Sequence, residues 1–285
     1  MPRFIVVFAL LLAMPVAGWA QESIDSRCFQ PSQTSCVDWE HGVAIAIGLG
    51  APAAFANNPA LKNLTARRAA RLDAARNLLE LVKGVNLNSE STMQNAMVQD
   101  DTVRTTVEGK LHGIREVGAP KYFSDGSIQV KLEARLYEII PTELYAPQEG
   151  AGPRLLPPPG GPLGGGAGLN PQSVYSGLII DARGTGVAPA MSPKVFDPEG
   201  REVYGSAYVS REFAISQGMV GYLKSVDAAR ESDRVKGSPA VIKAVEAKGP
   251  NNADLVISKE DADALRAISQ NQTFLREARV MIVLD

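Results

Sequence analysis

Residues suited to making or breaking bonds are scarce in this chain. Its 285 residues include two histidines and two cysteines. A zinc hydrolase needs about three protein ligands and an activated water. His41 and His112 stand far apart, and neither belongs to an H-E-x-x-H sequence. No G-x-S-x-G nucleophile elbow is present either. Asp100-Asp101 and Glu260-Asp261 are adjacent carboxylates, which rarely face one another, so they read as turn and cap residues. Aromatic residues make up only 6% of the chain, and Tyr204, Tyr208, Phe213 and Tyr222 gather in one stretch. They read as core, with a partner-docking patch as the alternative. Charge of one sign is also missing. With 29 basic and 31 acidic side chains the net charge is −2, so no overall attraction to nucleic acid or anionic lipid is expected. Beyond the first twenty residues there is no apolar run of about 18, so no transmembrane segment is expected. These absences leave no candidate catalytic residue, cofactor site or metal site.

The strongest positive signal is an export address over residues 1–20. Arg3 supplies a basic start, residues 4–14 are apolar, Pro15 ends the run, and Gly18 and Ala20 place small residues before a cut ahead of Gln21. The expected location is periplasmic. A lipoprotein would carry cysteine at the cut, but Gln21 stands there and the first cysteine is Cys28, so a lipid anchor is not expected. In an oxidising compartment Cys28 and Cys36 read as a disulfide closing a loop of about nine residues and contributing roughly 2–3 kcal/mol at most. Two free thiols, or a redox or metal role, are the alternatives. The latter would want C-x-x-C spacing or nearby ligands, and the only close histidine is His41.

The length suggests about two domains. Residues 21–41 form a polar N-terminal arm. In the domain expected at 42–145, Val43, Ile45, Ile47 and Leu49 alternate with small residues and predict a strand. Leu61, Leu64, Leu72, Ala75, Leu79 and Val82 predict a helix over 60–83 whose apolar stripe packs on a sheet. Asn58 is its N-cap, Pro59 its first residue and Gly84 its C′ residue. Val85 and Leu87 suggest a short strand. Val103, Thr105, Val107, Gly109 and Leu111 alternate with polar residues and predict a strand over 101–117. Ser124-Asp125-Gly126 is a turn, and Ile128, Val130, Leu132, Ala134 and Leu136 predict the partner strand of an antiparallel hairpin.

Residues 146–171 contain Pro157-Pro158-Pro159 and two glycine runs, so they read as a linker that leaves domain orientation unfixed. In the domain expected at 172–285, strands are predicted at 175–181, 240–247, 255–257 and 279–284. A hairpin surrounds Asp197-Pro198-Glu199-Gly200, a partly helical stretch broken by Gly218 and Gly221 spans 211–230, and a helix starts at the Ser258/Asp261 cap. The expected class is α+β, two small domains, each a mainly antiparallel sheet with one or two helices packed on it.

Two motifs invite a functional reading. Gly48-Leu49-Gly50-Ala51-Pro52-Ala53 fits G-x-G-x-x-A after a strand. However, Pro52 lacks the N–H a pyrophosphate needs, the helix begins too late, and Asp73 lies within it. The glycines read instead as a permissive strand-to-helix bend. Arg67, Arg68, Arg71 and Arg76 form a basic row on the first helix. It is either a solvated face paired with acids such as Asp73 and Glu80, or a candidate partner-binding surface for carboxylates or phosphates.

The run from Gly48-Leu49-Gly50-Ala51-Pro52 through Ala66-Arg67-Arg68-Ala69-Ala70 and Asp73-Ala74-Ala75-Arg76-Asn77-Leu78-Leu79-Glu80 resembles the LPP20 family of bacterial envelope proteins. Val82-Lys83-Gly84-Val85 and Val107-Glu108-Gly109 extend the likeness over roughly residues 42–140. It is more distantly similar to the N-terminal domain of flagellar assembly protein T. Gly177–Gly184 and Val203–Ser206 resemble the region that follows in longer members. The resemblance implies a non-enzymatic structural or assembly protein whose partners are envelope or flagellar basal-body proteins. It brings no catalytic residue and no cofactor. The alternative function is an exported binding module for a peptide, glycan or cell-wall fragment. A concave pocket with converging polar groups would favour that module, and a flat charged face would favour assembly.

Overall fold

The computed structural model describes residues 28, 32–150, 169–170, 173–269 and 273–285. The expected leader and most of the expected linker lie outside the described residues. The first half opens with β1 (Ser35–Asp38) and β2 (Val43–Gly50), followed by the long helix α1 (Pro59–Lys83). Next come α2 (Met93–Gln99), α3 (Asp101–His112), β3 (Lys121–Tyr122), β4 (Ile128–Arg135) and the single turn α4 (Leu136–Ile139). The four strands form an antiparallel sheet in the order β1-β2-β4-β3, with α1 across one face.

The contact between α1 and β2 follows from residue size. Successive strand residues face opposite sides, so Ala44, Ala46, Gly48 and Gly50 share one face of β2. The buried stripe of α1 is Ala66, Ala70, Ala74, Leu78 and Val82. A Cβ on Gly48 would sit 2.1 Å from the Ala74 amide nitrogen, and one on Gly50 would sit 2.2 Å from the Ala66 carbonyl oxygen. Helix backbone therefore lies directly on strand backbone. Polar residues of α1 hold the join at the side, where Asp73 accepts from the Leu49 N–H (3.0 Å) and Asn77 donates to the Ile47 carbonyl (2.8 Å). Asn58 caps the helix by accepting from the Leu61 N–H at 2.8 Å. Gly84 ends it in a right-handed conformation (φ −75°), not the left-handed turn usual for a C′ glycine.

The strand expected over 101–117 is corrected, because most of that stretch is the helix α3. Val103, Val107 and Leu111 are four residues apart, a spacing that satisfies a period of two and also returns to one helix face. Asp100 decides in favour of helix by accepting from the Thr102 N–H (2.7 Å) and the Val103 N–H (3.4 Å). The partner of β4 is β2 along all eight residues, and the hairpin at Ser124-Asp125-Gly126 joins β4 only to the two-residue β3. The short strand expected at Val85 and Leu87 is likewise reduced to isolated bridges from Asn86 to Thr92 and Ala190.

The second half contains β5 (Leu178–Asp181), β6 (Val195–Phe196), β7 (Glu202–Tyr204), α5 (Arg211–Gln217), β8 (Gly221–Leu223) and α6 (Val226–Glu231). It continues with β9 (Ala240–Lys248), β10 (Asp254–Ile257), α7 (Lys259–Ser269) and β11 (Val280–Val283). The strands form one mixed sheet in the order β7-β6-β10-β9-β5-β11-β8. β9–β10 and β6–β7 pair antiparallel, whereas β5 pairs parallel with both β9 and β11, and β11 pairs parallel with β8. The apolar runs Leu178-Ile179-Ile180 of β5 and Val280–Val283 of β11 suit strands covered on both faces. Ile179, Met281 and Val283 meet Ala229 of α6 on one side, while Leu178 and Ile180 join the main core on the other. The protein is thus α+β, built on two sheets with helices packed against them.

The two halves touch directly, a contact the linker composition did not suggest. Asn86 and Leu87 accept from the N–H groups of Met191 (2.9 Å) and Ser192 (2.8 Å). Ser89 donates to the buried Asp254 carboxylate at 2.5 Å, and the Asn251 N–H donates to the Ser89 carbonyl at 2.9 Å. Trp39 meets Tyr222 edge-on with ring centroids 5.6 Å apart. One apolar core runs through both halves.

Candidate functional site

The arginine row divides once α1 is seated. Arg67 donates from Nε (3.0 Å) and Nη2 (2.7 Å) to Glu116, which raises the guanidinium pKa further. Arg71 donates to the Ile114 carbonyl at 2.7 Å. These two tie the flank of the helix to the 114–116 segment. Arg68 and Arg76 are exposed and have no ion pair among the described residues. The acids expected to neutralise the row act elsewhere. Asp73 holds β2, and Glu80 accepts from Lys83 at 2.9 Å.

Arg68 and Arg76 belong to a ridge with Leu64 and Leu72, at successive four-residue intervals. Each ridge residue is two positions from a member of the buried alanine stripe, about 200° around the helix, so the ridge points directly away from the sheet. Leu64 is 49% exposed and Leu72 68% exposed. Both were expected in the buried stripe, and the correction has a simple cause. The glycines of β2 admit the helix so closely that only alanine fits beneath it, and the leucines are displaced outward. The readable signal was the match between alanines at every fourth helix position and glycines at alternate strand positions. α1 carries six basic and two acidic side chains, so the ridge lies in a positive field on a chain that is slightly negative overall.

A concavity not anticipated from the sequence lies at the end of β4. It is an open groove of about 880 Å³, lined by His41 and Val43 from the first hairpin, Lys110 from α3, Arg115 from the following loop, and Arg135 and Ile139 from β4 and α4. Asp38, 1% exposed, organises its rim. Its Oδ1 accepts from the N–H groups of Glu40 (3.1 Å) and His41 (3.2 Å), and its Oδ2 contacts His41 Nδ1 at 2.9 Å.

The remaining expected features are structural. Cys36 is buried on β1, and its Cα is 5.7 Å from that of Cys28, within disulfide reach. Tyr204 and Tyr222 are core residues whose hydroxyls donate to the Met219 carbonyl (2.5 Å) and the Ala190 carbonyl (2.9 Å). Burial raises both phenol pKa values. Tyr208 and Phe213 pack against the same core. The Ser258 hydroxyl caps α7 by accepting from the Asp261 N–H at 3.0 Å, but the Asp261 carboxylate accepts from that hydroxyl (3.0 Å), not from the Ser258 N–H as in a capping box, and burial raises the Asp261 carboxyl. His112 is exposed in the last turn of α3. Among the described residues no three His, Cys, Asp or Glu side chains converge on a metal position, and no helix is long and apolar enough to cross a membrane.

Fold and surfaces together describe a two-sheet α+β protein with one solvent-facing basic helix and one cationic groove. Residues 177–285 match the family model for the second domain of Treponema pallidum Tp0624, so the second sheet is similar to that domain. No curated protein matches the chain.

Proposed function

We propose that the protein is a non-enzymatic structural or assembly protein of the bacterial envelope, exported to the periplasm, that docks onto a larger assembly through the outer ridge of α1. The observation that carries this reading is the alternation Leu64–Arg68–Leu72–Arg76 on a face no other described element covers. Large apolar side chains flanked by uncommitted guanidinium groups suit an acidic, amphipathic partner surface. The likeness of residues 42–140 to the LPP20 family supports the envelope setting, and the more distant likeness to flagellar assembly protein T supports a flagellar basal-body partner. The leader-like residues 1–20 support export, and a Cys28–Cys36 disulfide would fasten the arm to β1 there.

The test is capture from crosslinked envelopes by wild type and by the double variant R68E/R76E. The expected result is loss of capture of an identified envelope protein, with the thermal melt of the variant unchanged. Equal capture by the variant would refute the ridge. Recovery of flagellar ring proteins would support the flagellar reading, and their absence in a motile strain would overturn it. Finding the unprocessed chain in the cytosol would overturn export.

A further inference from the structure

We infer that the groove bounded by the β1–β2 turn, the end of α3 and the end of β4 is a binding site for a peptide that carries carboxylate side chains. At about 880 Å³ it lies within the range of ligand-sized pockets. Three cationic side chains, Lys110, Arg115 and Arg135, line it from three different elements. None of the three has an ion pair among the described residues. Four other cations of this half do pair with acids, in Arg67–Glu116, Lys83–Glu80, Arg104–Asp101 and Lys131–Glu133. Of the two carboxylates lining the groove, Glu133 is engaged with Lys131 at 3.0 Å, which leaves Glu138, with Glu143 close enough to Lys110 to feel its charge, against three positive charges.

His41 adds a positioned polar group. One oxygen of Asp38 is enough to close the turn through two backbone N–H groups, and the other fixes the imidazole by Nδ1. The His41 side chain is 60% exposed, so the ring is oriented without being packed, and Nε2 is turned away from the carboxylate.

The chemistry selects the occupant class. Guanidinium forks match carboxylates in two-point contacts. Cations set on separate elements suit several acidic groups spaced along one molecule better than a single small anion. Val43, Ile114 and Ile139 supply apolar wall for the rest of the ligand. No Phe, Tyr or Trp ring is among the described residues that line the groove, so a nucleobase would find only the His41 imidazole to stack on. The site is separate from the α1 ridge and does not depend on that reading.

The probe is a fluorescein-labelled hexapeptide of alternating glutamate and leucine, titrated into the full mature protein by fluorescence anisotropy. Saturable binding that weakens with added salt is expected. R115E/R135E should weaken it at least about tenfold, equivalent to about 1.4 kcal/mol. The same peptide with glutamine for glutamate should lose affinity similarly. R68E/R76E should bind the peptide as wild type does. Should R115E/R135E fail to fold, the neutral pair R115Q/R135Q carries the same expectation. Absence of saturable binding, unchanged affinity in the groove variants, equal binding of the glutamine peptide, loss of binding in R68E/R76E, or displacement by an equal concentration of inorganic phosphate would each overturn the assignment.

Discussion

Arg266 is a buried cation, with 1% of its side chain exposed, and it is tolerated because the fully buried Asp197 faces it. Its Nη2 donates to Asp197 Oδ2 at 2.8 Å and its Nη1 to Asp263 at 3.0 Å. Asp197 also accepts from the Arg201 N–H at 2.8 Å and Nε at 2.7 Å. It thereby serves the Asp197-Pro198-Glu199-Gly200 turn and the buried ion pair together. Burial alone would raise the Asp197 carboxyl, but the bonds from Arg201 and Arg266 prevail and hold it below its ordinary value. Its folded pKa is therefore lower than its unfolded one. The stability it contributes is present above the unfolded value and is lost as pH falls through the folded value. Asp197→Asn should destabilise the protein by about 1–3 kcal/mol in urea denaturation, since Arg266 stays buried with Asp263 as its remaining acidic partner and Arg201 loses its own. It should also flatten the acid side of the stability curve. The double variant Asp197→Asn/Arg266→Met should recover much of the loss; a double variant as unstable as the sum of the singles would show that the pair is not coupled.

At the scale of elements, the same glycine replacement has opposite signs at two positions. Gly48→Ala puts a methyl 2.1 Å from the Ala74 amide nitrogen, so α1 must lift from β2. A loss of roughly 1–3 kcal/mol is expected from overpacking. Gly109→Ala, in α3, meets nothing within 4 Å and should stabilise by about 0.5–1 kcal/mol through helix propensity. Paired thermal melts check both, and a neutral Gly48→Ala would mean the helix is not seated on the strand backbone. The contrast shows what was legible in the sequence. α1 announced itself through Asn58, Pro59 and a long run of helix formers, and β2 and β4 through clean alternation. α3 was misread because Val103, Val107 and Leu111 fit both periods, although Asp100, read as a turn or cap residue, is its cap. The outward face of α1 was misread because leucine outranks alanine in hydrophobicity, whereas here the facing glycines chose alanine. The groove left no trace in the sequence, since its cations come from segments that only the fold brings together.

At the scale of the whole molecule, composition described the linker and could not describe the interface that bypasses it. Asn86, Leu87 and Ser89 of the first half form main-chain and side-chain bonds to Met191, Ser192, Asn251 and Asp254 of the second, more than 100 residues away in several cases. Tyr137 fills a slot between the halves that only glycines can border. A Cβ on Gly42 would come within 2.2 Å of its ring, and one on Gly218 within 1.9 Å of its hydroxyl. Both glycines have positive φ, at 66° and 78°. The interface should therefore hold without the tether. With a protease site placed within 151–168 and cut in the folded protein, the two fragments should co-elute on size exclusion. Ser89→Ala leaves one oxygen of the buried Asp254 without its hydroxyl donor, a loss of about 1–3 kcal/mol. Combined with Trp39→Ala, which removes the edge contact to Tyr222, it should let the cut fragments separate while the uncut variant remains folded. Fragments of the wild type that separate on cutting would show that chain connectivity, not this interface, keeps the two sheets together.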